Sequence, residues 1–327
     1  MTPMSVMVTG ASGFLGGTIA RVVRARCKRL IVCAKPGDFD AQRISDQRLC
    51  FRLPDQRFAS IVAKEQPTWL IHCAGSASVR ASFADPAGDR RANVAVTEFI
   101  FKTLAEHSPK TRVINLSSAA VYGQPASLPI TLDTPAIPIS PYGIHKRECE
   151  LISERYGNRD GIETVNLRIF SSYGPGLRKQ VLWDIYKKAM AGQTVSLFGD
   201  GTETRDFIFS RDVATFVNQM IHRPESAQRP TTRPKTLYVN LASGRSVQIR
   251  DLATLFLQQI GSDAELCFTN ERAAGDPRHW AVDASPLDEF GFSPPPTSLK
   301  KGLSIYARWI RSLTGNADAD RILAAAR

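Results

Sequence analysis

The sequence predicts an α/β fold, a doubly wound and mostly parallel sheet followed by a smaller C-terminal region. Three observations carry this expectation. Short apolar runs alternate with amphipathic helical stretches through the first half of the chain. The first run passes straight into a glycine-spaced turn, Gly10-Ala11-Ser12-Gly13-Phe14-Leu15-Gly16, that opens a helix. The second half breaks the rhythm with shorter elements set apart by proline-rich and polar stretches.

In chain order, the first strand is predicted over 6–9, where Val6-Met7-Val8 supply an apolar run. Leu15, Ile19, Val22 and Val23 then recur at helical spacing and predict a helix over 15–26. Further strands are expected over 30–33, 69–74, 112–117 and 164–168, with helices over 58–65, 89–106 and 142–156 between them. In the second half, 181–191, 212–222 and 250–260 read as helices, and 195–198, 237–240 and 266–268 as short strands. The stretch 223–235 holds Pro224, Pro230 and Pro234 among polar residues and reads as an exposed loop. Ser293-Pro294-Pro295-Pro296 breaks the chain before a final basic helix over 299–313, and the tail from Thr314 reads as a peripheral helix or as disordered. No internal repeat is present. The expected division is a sheet domain over 1–170, to which 205–222 and 237–242 return, a smaller region over 171–313 and a tail over 314–327.

Composition narrows the class. At 327 residues the chain can hold one large α/β domain or two smaller ones. No run approaches the roughly 20 apolar residues of a membrane span. The six cysteines lack a C-x-x-C pair, so reduced thiols, no metal site and a cytoplasmic location are expected. The net charge of +11 comes without a basic arm interleaved with aromatics or a recognition-helix motif, which argues against nucleic acid. Most of this charge reads as a solvated surface. The remainder suits polyanionic small molecules, such as a dinucleotide and a nucleoside diphosphate.

The glycine turn is where a pyrophosphate would sit. Gly10 allows the tight turn, Gly13 lets the backbone approach phosphate, and Gly16 lets the helix pack against the strand. Ser12, Phe14 and Leu15 share that turn, and the helix start offers free N–H groups to an anion. Downstream, Tyr142-Gly143-Ile144-His145-Lys146 places Tyr142 and Lys146 four apart on one helical face. A phenol is a weak base at neutral pH, and a nearby ammonium favours its phenolate. Tyr142 would then exchange a proton with a sugar or alcohol oxygen. Ser117-Ser118 end a strand, where a hydroxyl can bond the reacting oxygen. Leu70-Ile71-His72-Cys73-Ala74-Gly75 ends in the small residues needed beside a ribose, and His72 itself reads as a satisfied core histidine.

With these blocks in hand, the chain resembles an extended short-chain dehydrogenase/reductase of the nucleotide-sugar epimerase/dehydratase family. The resemblance rests on the glycine turn, His72-Cys73-Ala74-Gly75, Asn93-Val94, Ser117-Ser118 with Val121-Tyr122-Gly123, and Tyr142 with Lys146. It continues through Arg168-Ile169-Phe170, Tyr173-Gly174-Pro175-Gly176, Phe198-Gly199-Asp200-Gly201, Arg205-Asp206-Phe207 and Gly275-Asp276-Pro277. It implies a Rossmann-type NAD(P) domain under a substrate-binding region. It implies that Ser118 orients the sugar oxygen, that Tyr142 is the acid/base and that Lys146 binds the ribose. Asn93 and Ala74 would line the cofactor, Arg205 would meet the nucleotide diphosphate, and Arg272 or Arg278 would supply a second guanidinium, which suits phosphate oxygens. Asp206 reads as a surface or capping residue. A homodimer through a four-helix bundle of 89–106 and 142–156 is implied as well.

Three departures refine the expectation. The place of the family's ribose-binding carboxylate falls on Ala34, followed by Lys35, which favours NADP over NAD, although Asp38 or Asp40 could restore NAD. Ala119 and Ala120 follow Ser118 where dehydratases carry acids, so 4,6-dehydration is not expected. Ser171 stands where many members have asparagine, and Arg52 stands near the place of an adenine-side aspartate. The leading expectation is an NADP-using 4-keto nucleotide-sugar reductase. The alternatives are a 4-epimerase with retained NAD and a catalytically silent NADP-binding module.

Overall fold

The computed structural model describes residues 4–35, 44–223, 235–292 and 297–314. The chain opens with β1 (Ser5–Thr9), α1 (Phe14–Arg24), β2 (Arg29–Ala34), β3 (Gln47–Cys50), α2 (Gln56–Glu65) and β4 (Trp69–His72). It continues with α3 (Val79–Ala84), α4 (Pro86–Arg90), a π-turn (Arg91–Ala95), α5 (Val96–His107), β5 (Arg112–Ser118), a 3-10 turn (Ala119–Tyr122), α6 (Pro141–Asp160) and β6 (Thr164–Ile169). Then follow β7 (Ser171–Tyr173), α7 (Gln180–Met190), β8 (Val195–Leu197), β9 (Thr204–Phe209), α8 (Ser210–His222), β10 (Thr236–Leu241), β11 (Ser246–Gln248), α9 (Ile249–Ile260), β12 (Leu266–Phe268) and α10 (Leu299–Thr314).

Seven of these strands form one parallel sheet in the order β10-β6-β5-β4-β1-β2-β3. This is the Rossmann arrangement, with the chain reversing direction of growth at β1. Thr9 pairs with Cys33 on one side and His72 on the other, so these three strands end level. The loops beyond them share one edge. Successive side chains serve opposite faces. Val6 and Val8 join Ile19 and Val23 of α1 and Phe216 and Val217 of α8 in one core. Met7 and Leu70 join Phe58 of α2, Phe101 of α5 and Ile152 of α6 in the other. Burying each large aliphatic side chain is worth about 1.5–3 kcal/mol.

The smaller region has its own core, around Trp183, Tyr186, Phe209, Phe256 and Tyr306. Its strands pair as β11-β9-β7 and β12-β8. Thus β10 enters the main sheet and α8 packs on α1, whereas β9, over 204–209, lies in the β11-β9-β7 sheet. The expected helix over 89–106 is broken. Asp85 caps an earlier start by accepting the Gly88 N–H at 2.8 Å, Pro86 follows, and the π-turn intervenes. The expected strand over 69–74 stops at His72, because the amides of Cys73 and Ala74 turn to the Thr9 hydroxyl at 3.2 and 3.3 Å. The edge strand β3, Gln-Arg-Leu-Cys, lacks apolar alternation and was not expected.

All six cysteines are free: Cys27, Cys33 and Cys149 buried, Cys73 and Cys267 half-buried, Cys50 exposed. Among the described residues, no helix is long and apolar enough to cross a membrane. The proline loop at 224–234, Ser293–Pro296 and the tail beyond Thr314 lie outside the described residues, as do Asp38 and Asp40.

Candidate active site at the carboxyl edge of the sheet

Gly10 takes φ +67°, and a Cβ there would stand 2.6 Å from the Ala74 amide. One on Gly16 would collide with the Gly10 carbonyl. The turn therefore has to be glycine at both places, and it presses directly on the residues after β4. At the start of α1, Gly13 provides no side-chain cap and the first turn carries no acid, so the positive end of the helix is open to an anion. Ser12 accepts the Lys35 N–H at 3.3 Å, which brings the end of β2 against the glycine turn. Phe14 and Leu15 are half-buried, and Lys35 is exposed. Across the cleft the π-turn aims Asn93 at Gly75. Asn93 is 1% exposed, and its Nδ2 donates to the Asp89 carbonyl at 3.0 Å. Its Oδ1 has no partner and would lie 2.6 Å from a Cβ on Gly75. A buried acceptor left open beside a cradle only glycine permits fits a ribose hydroxyl there.

Beside this cradle, Ser140 caps α6 by accepting the Gly143 N–H at 3.1 Å, and Pro141 occupies the first turn. Tyr142 is thereby fixed at the helix start and is buried. A Cβ on Gly143 would lie 2.5 Å from the Ala120 carbonyl, so the helix sits directly on the 3-10 turn that Ser118 begins. Lys146 follows one turn later. Its Nζ lies 6.0 Å from the Tyr142 ring centroid and donates to the Leu116 carbonyl at 2.9 Å. Ser118 ends β5, with its Oγ accepting the Ala120 N–H at 3.2 Å and its own proton left to donate. Ser118, Tyr142 and Lys146 therefore converge, and no carboxylate follows Ser118, because Ala119 and Ala120 form the turn.

Sequence reasoning missed the support beneath. Glu150 is fully buried and accepts Ser117 Oγ at 2.7 Å and two bonds from Arg168 at 2.9 Å. Arg168 Nη1 also donates to Tyr122 Oη at 2.9 Å, and that hydroxyl donates to Asn240 at 2.7 Å. One buried cluster so ties α6, β5, β6, β10 and the 3-10 turn together. Its signal was present, since Glu150 stands one turn past Lys146. A second pinning bond joins His145 Nδ1 to Asp89 Oδ2 at 2.7 Å. His72 is the core histidine expected. Its ring bridges the hydroxyls of Thr9 and Thr97 at 3.0 and 3.1 Å, and burial, aided by Lys146, lowers its pKa to about 3. It stays neutral. Desolvation of the thiol holds Cys73 up at about 12, which favours its protonated form.

The region above the cleft is built differently. Arg205 is buried and pairs with Asp276. Its Nη1 also donates to the carbonyls of Thr204 and Arg278 at 2.8 and 3.1 Å, and its guanidinium lies 5.5 Å from the Trp280 ring centroid. The side chain expected to meet a diphosphate is thus engaged within the protein. Arg278 is exposed and faces Asp200 at 3.8 Å, and Arg272 is exposed. Of these two, Arg278 joins the Arg205 cluster. Ser171 is half-buried at the start of β7, Arg52 is exposed, and Asp206 is buried as a cap for the amides of Ser243 and Arg245 at 2.6 and 2.8 Å. Among the described residues no group of three or more His, Cys, Asp and Glu is placed to hold a metal.

Residues 6–233 match the family model described as the NAD dependent epimerase/dehydratase family. A putative UDP-glucose 4-epimerase of Methanocaldococcus jannaschii is 26% identical over 313 residues, 94% of this chain and 98% of that one. The UDP-N-acetylglucosamine 4-epimerase of Methanobrevibacter ruminantium, solved with UDP-N-acetylmuramic acid, superposes with a TM-score of 0.83 at 24% identity, over 95% of this chain and 99% of that one. The UDP-glucuronic acid 4-epimerase of Bacillus cereus, solved with UDP-glucuronic acid and NAD, gives 0.84 at 23% identity, over 95% and 100%.

Proposed function

Because the chain belongs to the NAD-dependent epimerase/dehydratase family, we propose that this enzyme is a nucleotide-sugar 4-epimerase that works with NAD held on the Gly10–Gly16 turn. The observation that carries the reading is the Tyr142–Lys146 face of α6, set against the strand end that holds Ser118. NAD held on the Gly10–Gly16 turn would supply the reversible hydride acceptor for the sugar carbon. The protein's part is the proton. Tyr142 takes it from the C4 hydroxyl as the carbonyl forms and gives it back once the ketosugar has turned its other face. Ser118 donates a hydrogen bond to the same oxygen, Lys146 favours the phenolate, and Asn93 Oδ1 receives a ribose hydroxyl. The similar proteins above are named as UDP-sugar 4-epimerases, which supports uracil as the base and favours epimerisation over the keto-sugar reduction expected first. Ala119 and Ala120 speak against dehydration.

The reductase reading keeps one observation, the carboxylate-free end of β2 at Ala34 and Lys35, which would suit NADP. A homodimer belongs to the proposal as well. Ile144 and Leu151, 46% and 47% exposed and seven residues apart on α6, give the expected bundle an apolar seam, and light scattering at twice the chain mass checks it. A cytoplasmic location is proposed with it, on the six free thiols. The deciding experiment pairs mass spectrometry of nucleotide released from the purified protein with NMR of UDP-glucose, UDP-N-acetylglucosamine and UDP-glucuronate after incubation. Retained NAD and a C4 epimer of one sugar are expected. An empty site and stoichiometric NADPH consumption by a 4-keto sugar would make it a reductase. Binding without turnover would make it a silent module.

A further inference from the structure

Lys179 precedes α7, in the smaller region, yet its Nζ crosses to the turn after β4 and donates to the Ala77 carbonyl at 2.7 Å. Three residues earlier, a Cβ on Gly176 would touch the Phe14 ring at 3.5 Å. The segment 176–179 therefore reaches both walls of the nucleotide groove, the glycine turn and the loop past Ala74. The residue as a whole is exposed, but its ammonium is turned inward.

The electrostatics there are unfavourable without a ligand. Desolvation, then repulsion from Lys146 and Lys35, pushes the Lys179 pKa below its usual value. The next residue, Gln180, holds φ +67°, a conformation uncommon for a residue with a side chain. Crowded cations and local strain cluster at ligand sites. Lys35 marks the adenosine end of the groove, past β2, and Lys146 marks the catalytic end, on α6. With Lys179 Nζ on the Ala77 carbonyl and Gly176 against Phe14, this segment spans from the loop past Ala74 to the residue that opens α1. We propose that Lys179 binds the diphosphate bridge of the dinucleotide, strapping it down from the smaller region. An ammonium has three donors, so the bond to Ala77 leaves two for phosphate oxygens. This rests on the dinucleotide reading of the Gly10–Gly16 turn. The nucleotide sugar carries the same diphosphate chemistry, and the test separates the two sources.

The test measures NADH affinity by fluorescence on protein freed of co-purifying nucleotide, and UDP affinity by calorimetry on NADH-loaded protein. Lys179→Met is expected to weaken NADH about 10- to 100-fold, with a shallower salt dependence, and to leave UDP binding unchanged. Lys179→Arg keeps the charge and is expected to bind NADH within about threefold of the native protein. A Lys179→Met protein that still binds NADH within about threefold, or one that loses UDP instead, overturns the proposal. So does a Lys179→Arg protein as weak as Lys179→Met, which would mark a packing role. Native protein that binds neither NADH nor NADPH overturns the reading of the glycine turn itself.

Discussion

The floor of the cleft and the region above it solve different problems. The floor, Ser118 with Tyr142 and Lys146, is locked at several points: Lys146 to Leu116, Glu150 to Ser117 and Arg168, and His145 to Asp89. Above the cleft, Arg278 and Arg272 are exposed, and the carboxylate that pairs with buried Arg205, Asp276, is itself half out in solvent. Proton and hydride transfer require reacting groups held within a fraction of an ångström. Recognition of a diphosphate and its base tolerates adjustment. The difference teaches that, on the proposed function, chemistry would be fixed by the sheet, while substrate choice would be left to side chains that can change without disturbing it.

The sharpest way to break this comparison is Tyr142→Phe. It removes the proposed proton carrier while keeping the ring packed, so kcat should fall about 10²–10⁴-fold with NADH affinity and melting temperature unchanged. Turnover that survives would remove Tyr142 from the reaction. Glu150→Gln tests the lock. Arg168 would remain buried without its carboxylate, at a cost of about 3–5 kcal/mol in urea unfolding. A loss below about 1 kcal/mol would show that the cluster does not hold the floor.

Much of the floor was legible in the sequence, and the physical reason is local. A glycine turn, a Tyr–Lys pair one helical turn apart and a strand ending in serines are each written in consecutive residues. The parallel sheet could be read because apolar strands and amphipathic helices alternate. What escaped was set by contacts distant in the chain. Glu150 and Arg168 are eighteen residues apart and meet only because α6 and β6 adjoin. The π-turn at Asn93 interrupts a helix whose apolar period gives no warning. Arg205 carried a family role in the sequence, yet the structure engages it with Asp276, seventy-one residues on. Ala34 and Lys35 favoured NADP from a single missing carboxylate, whereas the family whose model the chain matches is NAD-dependent.

A smaller effect separates the two regions by pH. His72 lies under the floor, and its pKa in the folded chain, about 3, is below the ordinary 6.5. Protonation therefore favours the unfolded chain. The stability tied to this ring is fully present above about pH 6.5 and is lost as pH falls toward 3, by up to about 1.4 kcal/mol per pH unit. His72→Gln should flatten the acid limb of the stability curve by one proton over that window. An unchanged limb would place the acid sensitivity elsewhere.

The smallest expected effect belongs above the cleft. Arg278 faces Asp200 at 3.8 Å with both side chains exposed, a geometry worth at most about 1 kcal/mol. Arg278→Ala should therefore leave urea unfolding nearly unchanged while raising KM for the nucleotide sugar up to about tenfold, with kcat held. Arg205→Ala is the paired control. Its guanidinium is buried over Trp280 and bonded to two carbonyls, so its loss should cost about 1–3 kcal/mol in stability as well as KM. If both variants lower stability equally, the upper region is as rigidly built as the floor, and the division of labour between them fails. If Arg278→Ala lowers kcat in step with kcat/KM, the arginine acts in the transition state, and recognition reaches further into the chemistry than the geometry of this edge implies.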